Sequence, residues 1–525
     1  MADPEAQALR WLDQHTSEKA PPIFLPDDIP DDILGTLRRL DLVLAVPGGV
    51  LVVRSPGDEP RRVLQALVWP VVQALTRKYA PAVVERDSAV RLYLGRTDPG
   101  PEIRIRQIGR TRWRHEIAPG AVVRLERGHV EEARTVSIGD ARIPVDTPEN
   151  VLLMLPLGFL REGLDDVALW MKSLMLSRPA LTRAYRRQPR PVVLKRMEHI
   201  ARDVGNERLA DLLGRVLGEE QNVRIGRDRT RIGRDLVVSP AVASAATTHE
   251  PWLDRLKVAI RASRDEAAAI LAELESPAPL TELKSLLNRA RSVRAYDAYH
   301  SSSIEGYRLR PDEVSALLGG GRPGGPEIVD ARSRLAIAGY GVAFDRLLAR
   351  AEEEQGWPPL TPSLALDLYV DLSTPSVEAG IVEADDLRGW RQAPVFIRDT
   401  MFVPPRPEKV PRMVDMLFAE LADIDPSRGL LRAVLVHLWF VWVHPFPDGN
   451  GRVARFLMNA ALLAGGLPWL TIRVEQRSAY FEALRRAQME DEYAPFTRFI
   501  AQAGTGGQGE AGALLSWSHR WSAAE

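Results

Sequence analysis

A long apolar run, Leu430-Leu431-Arg432-Ala433-Val434-Leu435-Val436-His437-Leu438-Trp439-Phe440-Val441-Trp442-Val443, leads directly into His444-Pro445-Phe446-Pro447-Asp448-Gly449-Asn450-Gly451-Arg452-Val453-Ala454-Arg455. The first segment is apolar almost all round, as expected of a buried helix in the middle of a domain. Such a helix would deliver His444 rigidly. The second segment sets a base, an acid, a glycine-rich turn and two arginines within one loop and helix start. Gly449 and Gly451 flank Asn450, and without a Cβ in the way successive backbone N–H groups can point at an anion. Asn450 to Leu463 has helix-forming residues throughout, so the loop feeds a helix N-terminus whose amides and dipole also favour negative charge. Arg452 and Arg455 are three residues apart, on one face of that helix. Asp448 offers a hard oxygen for Mg²⁺, which travels with polyphosphates. His444 can take a proton near neutral pH without strong perturbation. The constellation predicts a nucleotide-handling site. His437, seven residues earlier on the same face, reads as a core histidine.

His444 to Arg455 matches His-Pro-Phe-x-(Asp/Glu)-Gly-Asn-Gly-Arg-x-x-Arg at every fixed position, and the chain thereby resembles the Fic (Fic/DOC) family. The resemblance implies an enzyme that binds ATP with Mg²⁺ and moves AMP to a Ser, Thr or Tyr hydroxyl of a protein. His444 would be the base and Asp448 the Mg²⁺ ligand. Asn450 and the amides at Gly449 and Gly451 would stabilise the α-phosphate, Arg452 the β-phosphate and Arg455 the γ-phosphate. Electrostatic positioning of this kind is the main source of rate in phosphate chemistry. The intact Gly-Asn-Gly-Arg favours adenylylation over the Doc-like kinase branch, while the loop alone leaves UMP and phosphocholine donors open.

Upstream, His300-Ser301-Ser302-Ser303-Ile304-Glu305-Gly306 resembles the inhibitory (Ser/Thr)-x-x-x-Glu-(Gly/Asn) motif of autoinhibited Fic proteins through Ser301, Glu305 and Gly306. Ser301 and Glu305 share a helix face, and Gly306 can end the helix in the left-handed conformation. The resemblance implies a class II arrangement, in which Glu305 pairs with Arg455 and blocks placement of the γ-phosphate in cis. It also implies an alternative, removal of AMP from proteins through a Glu305-oriented water.

The stretch Leu387 to Pro405 carries two β-prone runs, Pro394-Val395-Phe396-Ile397 and Met401-Phe402-Val403, about a polar Arg398-Asp399-Thr400, and reads as a hairpin. It resembles the Fic flap, which holds a target segment as an added strand through main-chain hydrogen bonds. Further on, Arg477 to Leu484 resembles the family's closing helix, with Tyr480 a candidate contact to the nucleotide base.

The expected fold is mainly α: an all-helical Fic-like domain over 252–502 with a β-hairpin flap, preceded by an α+β region. At 525 residues the chain should hold more than one domain. Residues 1–80 read as a winged-helix-like region, because helical Asp31 to Leu40 precedes two strands about Pro47-Gly48-Gly49. Residues 81–218 read as a mixed α+β domain, with an antiparallel pattern over Glu102–Ile108, Val122–Leu125 and Ala133–Ile138. Residues 219–251 read as a linker and 503–525 as a flexible tail. The order of elements in the N-terminal part faintly resembles AbiEi-like type IV antitoxins, which would imply DNA as a partner and a regulator with a nucleotide-sensing Fic domain. Charge opposes this: Asp27, Asp28, Asp31, Asp32 and Asp41 cluster around the candidate reading helix, where phosphate wants Arg or Lys. The better basic surface is Arg104, Arg106, Arg110, Arg112 and Arg114. A net charge of -1 argues against a globally nucleic-acid-like surface. The absence of Cys excludes disulfides and cysteine metal sites. No apolar h-region opens the chain and no run reaches transmembrane length, so no membrane partner and a cytoplasmic location are expected. Dimerisation is a regulatory route in the family, and a homodimer is carried as an expectation from that alone.

Overall fold

The structure, a computed structural model, describes residues 4–16, 23–55, 57–156, 163–220, 250–274, 282–307, 309–319, 331–397 and 400–505, with residues 159, 242 and 248 between them. The chain forms two compact units, Met1–Val258 with Pro394–Arg406, and Ala259–Ala393 with Pro407–Glu525. Most of the expected linker (221–241) and the expected tail from 506 onward lie outside the described residues.

The first unit opens with α1 (Pro4–His15), β1 (Ile23–Phe24), α2 (Asp31–Arg39), β2 (Val43–Val46) and β3 (Val50–Val53). The strands form an antiparallel sheet in the order β1-β3-β2, with Val46 opposite Val50. Gly48 and Gly49 make the turn at φ +92° and +75°, where a Cβ would be strained. Ile33, Leu34 and Leu37 bury one face of α2, while Asp31-Asp32 and Arg38-Arg39 complement its dipole at opposite ends.

There follow α3 (Pro60–Ala66), α4 (Val68–Lys78), β4 (Ala82–Val84), α5 (Arg86–Tyr93), β5 (Ile103–Gln107), β6 (Trp113–Ala118), β7 (Ala121–Arg127), β8 (Ala133–Ile138) and β9 (Ala141–Asp146). Among the described residues five helices follow: α6 (Pro148–Met154), α7 (Leu164–Lys172), α8 (Arg178–Arg187), α9 (Pro191–Asp203) and α10 (Glu207–Glu220). The sheet order is β6-β7-β5-β4-β9-β8. The pairing departs from the expected antiparallel pattern: β5 runs parallel to β7 and β4 parallel to β9. After the tight β6–β7 hairpin the chain travels in the β5 direction again, and Val123 and Leu125 bury beside Ile103 and Ile105.

The arginines expected to form a basic surface are largely paired within the sheet. Arg106 lies buried between Glu85, at 2.9 Å, and Asp146. Glu102 accepts from Arg114 at 2.6 Å and Arg124 at 2.7 Å, and Arg104 reaches Asp87 at 3.2 Å. Arg110 and Arg112 remain exposed.

Pro394–Arg406 belongs to this unit too. Expected as a hairpin, its described residues form no strand ladder, and the turn residues Arg398 and Asp399 lie outside the described residues. Its side chains take over the packing: Phe402 and Val403 are buried, Val403 N–H donates to Thr97 Oγ1 at 3.3 Å, and Arg406 donates to the Gly139 carbonyl at 2.9 Å.

The unit boundary falls within α11 (Pro251–Ala272). The second unit continues with α12 (Leu283–Ile304), α13 (Pro311–Leu318), α14 (Ala331–Glu353), α15 (Pro362–Glu378), α16 (Val410–Ala422), α17 (Gly429–Val443), α18 (Asn450–Ala464), α19 (Arg477–Glu490) and α20 (Ala494–Thr505). Every residue of α17 except Leu430 is buried, as its all-round apolar sequence requires. Trp439 donates to Ser263 at 2.9 Å, and Arg261 grips Glu420 through two bonds of 2.8 and 3.0 Å, tying α11 to α17 and α16.

Two helix crossings depend on glycine. A Cβ on Gly429 would meet the Ala461 carbonyl and the Gly465 Cα, both at 2.9 Å, so α17 and α18 approach backbone to backbone. A Cβ on Gly339 in α14 would overlap the Leu372 carbonyl of α15. Gly339→Ala should therefore destabilise the second unit by about 1–3 kcal/mol, because two main chains must separate. A thermal melt would show this as a lowered midpoint, and an unchanged midpoint would refute the tight crossing.

Candidate nucleotide site

The loop from His444 to Gly449 joins α17 to α18 and is anchored at three points. Phe446 is fully buried and stacks on Tyr369 at a centroid separation of 3.9 Å and an interplanar angle of 9°, with Trp390 and Phe440 around it. The Asn450 amide closes the loop: its Oδ1 accepts from Phe446 N–H at 2.9 Å and its Nδ2 donates to the Phe446 carbonyl at 2.8 Å. Gly449 takes φ +79° and opens α18, presenting the amides of the first turn. Asn450, expected beside the α-phosphate, thus spends a donor and its acceptor on holding the loop.

His444 ends α17 in the left-handed conformation, φ +53° and ψ +60°. That placement is uncommon for a residue with a Cβ. It is held by Arg391, whose backbone N–H donates to the Pro445 carbonyl at 2.9 Å and whose Nε donates to the His444 carbonyl at 2.8 Å. His444 Nδ1 lies 3.1 Å from the Val441 carbonyl, so in the neutral ring Nδ1–H donates there and Nε2 keeps its lone pair. Burial, together with the Arg391 charge, pushes the imidazole down to about 4. At neutral pH it is an unprotonated base. Arg391 is itself pushed down to about 10 by burial. Sequence reasoning passed over Arg391, although it lies in the flap stretch two residues after Gly389.

Asp448 is the most open member of the site, its side chain 68% exposed, 3.5 Å from Arg452 and 3.9 Å from Arg332. A single unhindered carboxylate suits an ion that keeps several waters and shares its other ligands with phosphate. Arg452 is buried, and its Nε has no partner among the described residues. Beside it a cavity of about 270 Å³ is lined by Tyr307, Arg332, Tyr369, Leu372, Asp448 and Gly449, among others.

Ser301, Glu305 and Gly306 come together with the loop through the end of α12. Gly306, at φ +91°, donates to the Ser303 carbonyl at 3.0 Å and Tyr307 N–H to the Ser302 carbonyl at 3.2 Å, the two bonds of a Schellman cap. Arg477 caps the Ile304 carbonyl at 2.9 Å. This termination sets the Glu305 carboxylate on Arg455, Oε1 to Nη2 at 2.7 Å, while Arg455 also donates to Ser301 Oγ at 2.8 Å and its carbonyl at 2.9 Å. Burial works against the Arg455 charge, but Glu305 outweighs it and raises the guanidinium further. The carboxylate also lies over the first turn of α18, since a Cβ on Gly451 would overlap its Oε1. Behind the cap, Asp297 accepts from Tyr340 and from Trp469 at 2.9 Å, fixing α12 against its neighbours. Burial raises its carboxyl.

Tyr480 lies in the helical core, near enough to Arg455 and Glu305 for their charges to act on its hydroxyl. It is 1% exposed, and its hydroxyl meets His437 Nε2 at 3.0 Å, because the apolar face of α19 packs inward onto α17 and α20. His437 is correspondingly a core residue, pushed down to about 3 by burial. Among the flap residues, Phe396 stays exposed, while Phe402 is buried.

Helices α17 and α18 and the loop between them thus place a helix N-terminus beside a histidine whose pKa is depressed by burial. Residues 360–462, from α15 through this loop to α18, match the profile of the Fic/DOC family. The chain carries a Fic/DOC domain. It is 40% identical over 211 residues to the protein adenylyltransferase Fic of Nematostella vectensis, covering 39% of this chain and 45% of that one. It is 31% identical over 211 residues to the protein adenylyltransferase fic-1 of Caenorhabditis elegans, covering 39% and 38%. The chain thus spans less than half the length of these curated relatives. Among solved structures, one of Fic-1 from C. elegans aligns over 68% of this chain and 98% of that one at 22% identity, with a TM-score of 0.34.

Three histidines of this unit are neutral when folded. His300 is lowered to about 4, His437 to about 3 and His444 to about 4, in each case first by burial. In the unfolded chain they titrate near 6.5. Between about pH 6.5 and 4 the unfolded chain therefore binds more protons, so stability is complete above 6.5 and falls as pH drops through that window. Each proton contributes a slope of roughly 1.4 kcal/mol per pH unit. Urea titrations across this range should show the decline, with a shallower slope in His437→Gln; a flat profile would contradict the buried neutral imidazoles.

Proposed function

We propose that this chain is a protein adenylyltransferase that moves AMP from ATP to a protein hydroxyl and is held inactive by Glu305. The observation that carries the reading is the Glu305 carboxylate seated on Arg455 over the first turn of α18. An internal anion occupies a place built for an anion. The names of the curated relatives support the reaction class.

In this mechanism Nε2 of His444 takes the proton of a Ser, Thr or Tyr hydroxyl. The freed oxygen forms a bond to the α-phosphorus of ATP, the bond from that phosphorus to the α–β bridging oxygen breaks, and pyrophosphate leaves with the electron pair. Amides at Gly449, Asn450 and Gly451 bind the α-phosphate oxygens, Arg452 the β-phosphate, and Arg455, once freed, the γ-phosphate. Asp448 fits as the protein ligand of Mg²⁺, which when bound would neutralise polyphosphate charge. Among the described residues no cluster of three or more metal-ligating side chains occurs. The target segment would dock along Pro394, Val395, Phe396, Ile397 and Met401, Phe402 being buried.

For the first unit, the α1-β1-α2-β2-β3 order and the tight β2–β3 turn support a winged-helix-like reading. The acidic start of α2 and the paired sheet arginines favour a role other than reading DNA. No described helix is long and apolar enough to cross a membrane.

Incubation with ATP labelled at the α-phosphate, Mg²⁺ and a lysate should label protein weakly with wild type, strongly with Glu305→Gly and not at all with Glu305→Gly/His444→Ala. No label from Glu305→Gly would overturn the adenylylation reading. Loss of pre-formed label that requires both Glu305 and His444 would instead assign AMP removal. In the Glu305→Gly background, Arg391→Ala should lower turnover about tenfold or more while leaving ATP affinity unchanged, because it loosens the base and touches no phosphate group. An equal loss in both would refute that positioning role.

A further inference from the structure

We propose that Tyr307 is a positioning residue for Arg452, so that one helix cap acts on both arginines of the site in opposite senses. The proposal rests on the nucleotide-site reading above. Tyr307 follows Gly306 directly and donates the outer bond of the Schellman cap, so its backbone is fixed by the same two hydrogen bonds that fix Glu305. From there its ring lies 5.3 Å from the guanidinium carbon of Arg452, and Arg452 Nη2 donates to its hydroxyl at 3.4 Å. Arg332 lies 5.9 Å from the same ring.

An aromatic ring against a guanidinium holds the plane of the cation and leaves its N–H edges available. Arg452 Nε is buried and has no partner among the described residues, while Nη2 has only the long Tyr307 contact and Asp448 at 3.5 Å. The guanidinium is therefore oriented by the ring and poorly satisfied along its edge, as suits a residue waiting for a phosphate. Glu305 acts differently on Arg455, setting a carboxylate on its Nη2 and leaving only Nη1 without a partner among the described residues.

The two contacts also differ in how they can be undone. The Glu305 side chain is 31% exposed at the helix end and can swing away by rotation alone. The Tyr307 backbone, by contrast, moves only if the cap itself unwinds. Activation consequently proceeds by rotation of the Glu305 side chain with the cap intact, since unwinding the end of α12 would free Arg455 and at the same time leave Arg452 without its support.

The test is calorimetric titration of the 525-residue chain with ADP and, separately, AMP, in Glu305→Gly, Glu305→Gly/Tyr307→Ala and Glu305→Gly/Tyr307→Phe. The alanine variant should bind ADP about three- to tenfold more weakly than Glu305→Gly, as loss of one cation–π contact implies. Its AMP affinity should be unchanged, because AMP has no β-phosphate for Arg452. Phenylalanine should restore most of the ADP affinity by keeping the ring. ADP bound equally well or more tightly by the alanine variant would overturn the proposal, the latter making Tyr307 a second lock. Equal losses for ADP and AMP would also overturn it, as a general disturbance of the fold. Absence of ADP binding by Glu305→Gly itself would overturn the parent reading and this one with it.

Discussion

The amide of Asn450, clasping both backbone groups of Phe446, is the bond on which the rest of the site depends. It closes a short loop between two helices that cannot slide apart, since at their far ends Gly429 and Gly465 meet with no side chain between them. Phe446, stacked on Tyr369, plugs the loop into the apolar interior. With both anchors made, the two residues at the loop's ends take left-handed backbone, His444 at the end of α17 and Gly449 at the start of α18. The geometry of His444 and of the helix start is thus a consequence of packing and of one buried amide bonded through both its oxygen and its nitrogen. Such a group is costly to leave unsatisfied, on the order of 1–3 kcal/mol, which is why it specifies the loop.

Charge then divides the site into a settled and an unsettled part. Arg455 is deeply buried and paired through Nε and Nη2 with Ser301 and Glu305, its Nη1 having no partner among the described residues. Removing one partner of such a pair while leaving a buried cation is unfavourable unless another anion replaces it. A nucleotide's γ-phosphate meets that requirement. Arg452 and Asp448, by contrast, stand 3.5 Å apart in a looser arrangement at the cavity mouth. The same helix end governs both, because the Schellman cap of α12 places a carboxylate and an aromatic ring two residues apart. Asp297, with Tyr340 and Trp469, keeps that helix from shifting.

In the first unit the arginines serve the sheet. Arg106 binds Glu85 and Asp146 across β4, β5 and β9, and Glu102 collects Arg114 and Arg124 across β5, β6 and β7. Buried cations in this setting need carboxylates close by, and strand alternation supplies them at the right spacing. The stripe that looked basic along the sequence is therefore mostly neutral in space. The Pro394–Arg406 segment shows the same shift from local to tertiary control: its β-prone residues are used for side-chain packing and isolated hydrogen bonds to Thr97 and Gly139 in place of a ladder.

What the sequence by itself determined is whatever depends on neighbours within a turn or two. The pairing of Glu305 with Arg455, 150 residues apart, came from the family resemblance, whereas local sequence specified the buried helix before His444, the helix start after Gly449, the hairpin about Gly48-Gly49 and the end of α12 at Gly306. These follow from periodicity, glycine backbone freedom and i, i+4 spacing, all of which are local. Only the tertiary structure decided which of two readings each longer-range residue takes. Tyr480 turned inward to His437 because the packing of α19 on α17 and α20 consumed its face. β5 and β7 became parallel because the chain doubled back between them. Arg391 and Tyr307 acquired roles beside His444 and Arg452, 53 and 145 residues away along the chain. Local preference cannot encode such approaches, because they are set by how helices cross and by which buried charges find partners.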